Sequence, residues 1–166
     1  MEGYFMTEKL LHALPLFTAW EALIAEGNAA FNQRHDRRAM SRYQQALEGA
    51  QAIIAEKPWL NAEYTARFEA LNIFESALAA LIVTFNNITH LRLRQKPLRG
   101  VELHVHQARV AIEQLLDDTS LCEQMQQIAE RHLLRFRIET LHLLREHRLP
   151  ETSVCAPAAN ASATLH

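Results

Sequence analysis

Gly27-Asn28-Ala29-Ala30-Phe31, followed by Asp36-Arg37-Arg38-Ala39 and Tyr43-Gln44-Gln45-Ala46-Leu47, places small and large residues as a packed helical hairpin needs them. Gly27 and Ala39 are small enough to let two helices approach closely. Tyr43 and Ala46-Leu47 continue the buried stripe of the second helix. Working outward, Trp20, Leu23, Ile24, Gly27, Ala30 and Phe31 recur at helical spacing, which predicts a first main helix over about 16–33. A lead segment, 1–15, precedes it, with Leu10, Leu11 and Leu14 in a short helix that ends near Pro15. His35-Asp36 reads as a tight turn with Asp36 as N-cap. The second helix follows over about 37–56, with Ala39, Tyr43, Ala46, Leu47, Ala50 and Ile54 as its stripe. Pro58 stops it, because the residue before a proline avoids helical angles.

Gly27, Ala39, Tyr43 and Ala46 stand at the spacing of the small, small, aromatic and alanine positions of a tetratricopeptide repeat (TPR), with Leu23 at the usual large apolar position. The segment of about 20–53 therefore resembles one TPR unit. A weaker resemblance covers about 82–116, through Phe85, Ile88, Thr89, Val101, Val105 and Ala108. There Arg92 replaces an aromatic, and Val101 is larger than the usual alanine. The resemblance implies an all-α fold of antiparallel helical hairpins and a non-catalytic role in binding a protein or peptide.

Tandem TPR units recur every 34 residues or so, whereas the equivalent positions 27 and 89 lie 62 apart here. The excess is assigned to the start of a long third helix, about 61–95, free of glycine and proline and roughly 52 Å long at 1.5 Å per residue. Its segment 77–85 is apolar nearly all round, which predicts burial on several sides. A short turn at Pro58-Trp59 sets Ala39 opposite Leu78, with helices one and two on the first half of this spine and helices four and five on the second. A regular superhelix is the alternative and requires a break near Ser76.

The fourth helix is read over about 98–116, with Val101, Val105, Ala108, Ile112 and Leu115 as its stripe. The fifth runs over about 121–147, with Cys122, Met125, Ala129, Leu133, Phe136 and Leu143 along one face. Ser120 and Glu123 fit a capping box at its start. It begins a third unit or caps the end of the array. The domain spans 16–149, and 150–166, rich in Ala, Ser, Thr and Pro, reads as a disordered tail.

A formal net charge of −2 with mixed signs gives no basic stripe for nucleic acid. The start lacks a signal-peptide pattern, and 77–85 is too short to span a bilayer. Cys122 and Cys155 read as reduced thiols of a cytoplasmic protein.

Asn28 and Asn87 resemble in position the asparagines with which some TPR domains hold a peptide backbone or terminal carboxylate. Ile24 stands where the companion lysine is expected, so the full clamp is not present. With Phe31, Asn32, Asn86, His90, Arg94, Arg131 and Arg135 they make the candidate binding set. Side-chain amides both donate and accept, and Arg131 and Arg135 share a face at i, i+4. The histidines offer no i, i+4 pair and no Cys-x-x-Cys accompanies them, so no metal site is read. No nucleophile, phosphate-loop or paired Glu-x-x-His pattern is present, so neither a catalytic site nor a cofactor is expected. The expectation is a cytoplasmic scaffold or adaptor for a protein or peptide, with no membrane or nucleic-acid partner. Homodimerisation is a second use of the same apolar strips. A small-molecule or metal-binding bundle and a secretion-chaperone adaptor are the alternatives.

Overall fold

The computed structural model describes residues 8–61, 67–95, 100–147 and 149. Every regular element among them is helical: α1 Glu8–Asn32, α2 Asp36–Glu56, a 3₁₀ turn Pro58–Asn61, α3 Arg67–Arg94, α4 Val101–Leu116 and α5 Glu123–Glu146. The all-α architecture with five main helices and a long central one is as expected. α3 passes Ser76 unbroken, which removes the regular-superhelix alternative. Residues 1–7 of the lead segment and the tail 150–166 lie outside the described residues.

α1 starts at Glu8 and runs through Pro15 instead of starting after it. A proline inside a helix removes one backbone bond. Leu16, Phe17 and Trp20 pack on the core just beyond it and hold the helix together there. The Trp20 indole also donates to Thr84 Oγ1 at 2.9 Å, tying α1 to α3.

The α1–α2 turn is closed by backbone bonds from Arg34 N to Phe31 O and from His35 N to Ala30 O, with Arg34 at φ 58°. This is the Schellman pattern, which satisfies the last carbonyls of α1. His35 is the N-cap of α2, and Asp36 is its first residue. The Asp36 carboxylate does not cap because it is bound to Arg94 on α3. Ser120 likewise does not cap α5. Its hydroxyl bonds Asp118, and an exposed Cys122 is the N-cap. On α2 and α5, Ile53 and Leu144 take the buried positions read for Ile54 and Leu143.

Gly27 lies beneath the Tyr43 ring. A Cβ there would stand 2.5 Å from Tyr43 Cε1, so the α1–α2 approach depends on glycine. α2 then runs antiparallel to α3 along its whole length. Ala39 clusters with Ile88 and Leu91 instead of facing Leu78, and Ala50 and Ile53 join Phe74 in the main core. The expected division of the spine into two halves is therefore corrected: α3 packs against α1, α2, α4 and α5 together. The cause is the linker. The 3₁₀ turn Pro58–Asn61 occupies the predicted start of the third helix, which shifts the register.

α3 from Phe68 to Arg94 is long and apolar enough to cross a bilayer by length and composition, a longer stretch than 77–85. In this fold 56% of its most apolar window is buried, the pattern of a core helix. Thr84 and Thr89 are buried within it and donate to Ala80 O and Phe85 O one turn back. Gly100, at φ 86°, is the N-cap of α4. Side-chain contacts fix the helix directions. Trp20–Thr84 with Arg94–Phe31, and His132–Glu75 with Asn86–Glu139, make α1, α3 and α5 parallel, while the tight α1–α2 turn, and Arg137–Glu113 with the cluster of Val101 and Leu144, set α2 and α4 against them.

Candidate functional site

Two clefts flank the exposed ridge of α3. The first, about 450 Å³, is lined by Asn28, Phe31 and Asn32 from α1, Tyr43 from α2, and Asn87 and His90 from α3. Five of the predicted site residues thus converge from positions some sixty residues apart in the chain. They do so because α1 and α3 run parallel with their C-terminal ends together.

Tyr43 orders this cleft. Its hydroxyl donates to Asn28 Oδ1 at 2.8 Å. Burial pushes the phenol pKa up, and the nearby Arg94 charge offsets part of that rise, so the hydroxyl stays protonated and donating. With its oxygen engaged, Asn28 presents its amide N–H groups to the cleft. Asn87 is half-buried with no hydrogen bond among the described residues, and Asn32 and His90 are exposed. Among the described residues no carboxylate lines this cleft.

Arg94 stands at its edge, with both terminal nitrogens engaged. The guanidinium lies 3.6 Å from the Phe31 ring centroid, donates to Phe31 O at 2.9 Å and pairs with Asp36. It is a strut between the end of α3 and the α1–α2 turn, and it fixes the Phe31 ring as the cleft wall.

The second cleft, about 310 Å³, lies between α3 and α5. Ala79, Ile82, Val83 and Phe136 form its apolar part. Its polar rim is Asn86, His132, Arg135 and Glu139. Glu139 accepts from Arg135 Nε at 2.8 Å and from Asn86 Nδ2 at 3.4 Å, and His132 contacts Glu75 at 3.2 Å. Asn86 and Arg135 therefore belong to this cleft and not to the one around Asn28. Arg131 is exposed on α5 and lines neither.

The chain belongs to the family described as protein of unknown function DUF2753. The match covers residues 18–163 and so includes both clefts. No curated protein and no solved structure matches the chain.

Sequence reasoning missed Tyr43, Val83, His132, Phe136 and Glu139 as lining residues. Tyr43 and Phe136 were read as core, which is where most of each ring lies. His132 and Glu139 acquire their places only from the parallel register of α3 and α5, for which no local signal exists. Among the described residues no group of three or more His, Cys, Asp or Glu side chains is placed to hold a metal ion.

Proposed function

We propose that this chain is a TPR-like, non-catalytic scaffold of the cytoplasm that binds a protein or peptide in the groove along α1, α3 and α5. The observation that carries this reading is the first cleft, in which Asn28, Phe31, Asn32, Asn87 and His90 line one concavity. Its amides suit the carbonyls of an extended peptide, and its aromatic walls suit side chains. The packing order supports the reading too. α1 contacts α2 and α3, and α3 contacts α4 and α5, as stacked helical hairpins do.

The test is capture from the native host with the tagged full-length chain, in parallel with Asn87→Ala and Val83→Arg. Val83 lines the second cleft and is 39% exposed, so arginine there obstructs the groove without entering the core. The expected result is a protein recovered with the wild type and lost with both variants, each of which keeps its helical circular dichroism. Identical recoveries from all three chains, or a bound metabolite or metal in place of a protein, would overturn the reading.

A further inference from the structure

The parallel order of α1, α3 and α5 segregates charge along the bundle. One end gathers the α1–α2 turn, the end of α3 and the start of α4. There Arg34, Arg37 and Arg38 are exposed and carry no ion pair among the described residues. Arg92 adds a half-buried cation beside Gly100. Of the acids at this end, Asp36 is already neutralised by Arg94, while Glu102 and Glu146 are exposed on α4 and α5, away from the α1–α2 turn. The opposite end is acidic, with Glu48, Glu56, Asp117 and Glu123 exposed, and its Lys57 is bound to Asp118 at 2.7 Å.

The first cleft opens beside the basic end. It offers donors and no carboxylate, and Tyr43 holds the Asn28 amide in its donating orientation. The second cleft differs: its charges are matched as Arg135–Glu139 and His132–Glu75 around an apolar floor. An extended ligand along the groove therefore meets an apolar slot first and an electropositive, donor-rich end second.

We infer that the groove takes an acidic linear peptide in one polarity, an apolar side chain in the α3–α5 cleft and its carboxylates at the α1–α2 turn. This rests on the groove reading above. The spacing follows from the helix. From Val83 to Arg94 is about 16 Å at 1.5 Å per residue, which an extended peptide covers in about five residues at 3.3 Å each. The acidic positions of the ligand therefore lie about three to six residues from its apolar anchor. Opposite-charge placement steers encounter and sets register, and its effect fades as salt rises.

The experiment is selection of a random dodecapeptide phage library on the immobilised full-length chain, with affinities of synthesised winners measured by fluorescence anisotropy. The expected winners carry Asp or Glu at a constant separation from one Leu, Ile, Phe or Met. They lose binding with Val83→Arg, and bind about tenfold more weakly to Arg37→Glu/Arg38→Glu at low salt. Winners that need an unobstructed Val83 but carry no acidic residues overturn this inference and leave the groove reading standing. A library that yields no peptide sensitive to Val83→Arg overturns both. If heparin binds as tightly as the winners and Val83→Arg leaves their binding unchanged, the basic end is a general polyanion surface and the polarised site is refuted.

Discussion

The two sides of α3 are built by different means. On the α1–α2 side, close approach is achieved with small residues. Gly27, Ala30, Ala39 and Ala46 let Tyr43 settle between helices, while the Trp20–Thr84 bond and the Arg94–Asp36 pair tie α1 and α2 to α3. On the α4–α5 side the interface encloses charge. Arg109 is fully buried and grips both Glu113 oxygens, at 3.0 and 2.7 Å, while Arg137 reaches the same carboxylate from α5. Arg109 also donates to His106 Nδ1 at 3.2 Å, so that ring nitrogen carries no proton. Close approach around Tyr43 marks the first side, and a charge network around the fully buried Arg109 marks the second. The same division recurs in the clefts, one lined by neutral amides and the other rimmed by ion pairs.

The sharpest way to break this comparison is Glu113→Ala. It strips the buried Arg109 of its principal anion and frees Arg137 as well. Losing one partner of a buried pair costs about 3–5 kcal/mol, and the loss should appear as a lower urea midpoint at unchanged m-value. Replacing the group with hydrophobes tests the other half of the argument. Arg109→Met with Glu113→Leu should recover most of the loss, because it leaves no fully buried charge without a partner, and the freed Arg137 is 41% exposed to water. An effect of Glu113→Ala no larger than that of an exposed glutamate such as Glu48 would show that the network contributes nothing to stability.

Acid should also strike the α4 side. His104 is 5% exposed, and its ring lies against Phe85 O at 3.2 Å. Burial, first, and the Arg92 charge lower its pKa to about 4, against the contribution of the Phe85 carbonyl. Because the folded value lies below the unfolded one of 6.5, the unfolded chain takes up the proton first. Stability is therefore complete above about pH 6.5 and falls as pH drops toward 4, by about 3 kcal/mol at the limit. His104→Gln should flatten that part of a stability–pH curve. If the curve of the variant parallels that of the wild type, another group drives the slope.

On the α1–α2 side, Gly27→Ala should cost about 2 kcal/mol, in the range for overpacked cores. The added methyl would meet Tyr43 Cε1 and Cδ1 at 2.5 and 2.6 Å, and that ring is only 2% exposed. Pairing it with Tyr43→Leu should relieve the clash, so the two changes should be strongly non-additive in a double-mutant cycle. Simple additivity would mean that Gly27 and Tyr43 do not bear on each other.

This contrast also explains what could be read from the sequence. Small residues at helical spacing are a local signal, so the 20–53 hairpin is legible from Gly27, Ala39 and Tyr43, while the place of Tyr43 in the cleft is not. Charge matching across helices is not local. Nothing near Asp36 says that Arg94, 58 residues on, will take its carboxylate and leave the N-cap to His35. Nothing near Arg109 says that the side chain turns inward. The first depends on the register between α2 and α3, to which the 3₁₀ turn at Pro58–Asn61 contributes, and the second on the packing of α4, where Arg109 is fully buried. Pro15 was misread for a related reason. Its helix-breaking tendency is local, while the packing of Leu16, Phe17 and Trp20 that overrides it is tertiary.

The smallest expected effect bears most directly on recognition. Tyr43→Phe removes one hydroxyl and keeps the ring over Gly27. Its partner Asn28 is exposed, so water replaces the lost bond and the stability cost is about 1 kcal/mol or less. The Asn28 amide, however, is released from its donating orientation. If that orientation selects for acceptor-rich ligands, Tyr43→Phe should narrow the affinity gap between an acidic groove peptide and its Asn/Gln-substituted counterpart, with the melting temperature nearly unchanged. Asn28→Asp should act in the opposite sense to a preference for acids, placing a carboxylate where the amide stood and repelling the acidic peptide more than the neutral one. A gap that both variants leave intact would mean that discrimination comes from the arginines of the α1–α2 turn alone, and the amide would then be a spectator at the edge of an electrostatic site.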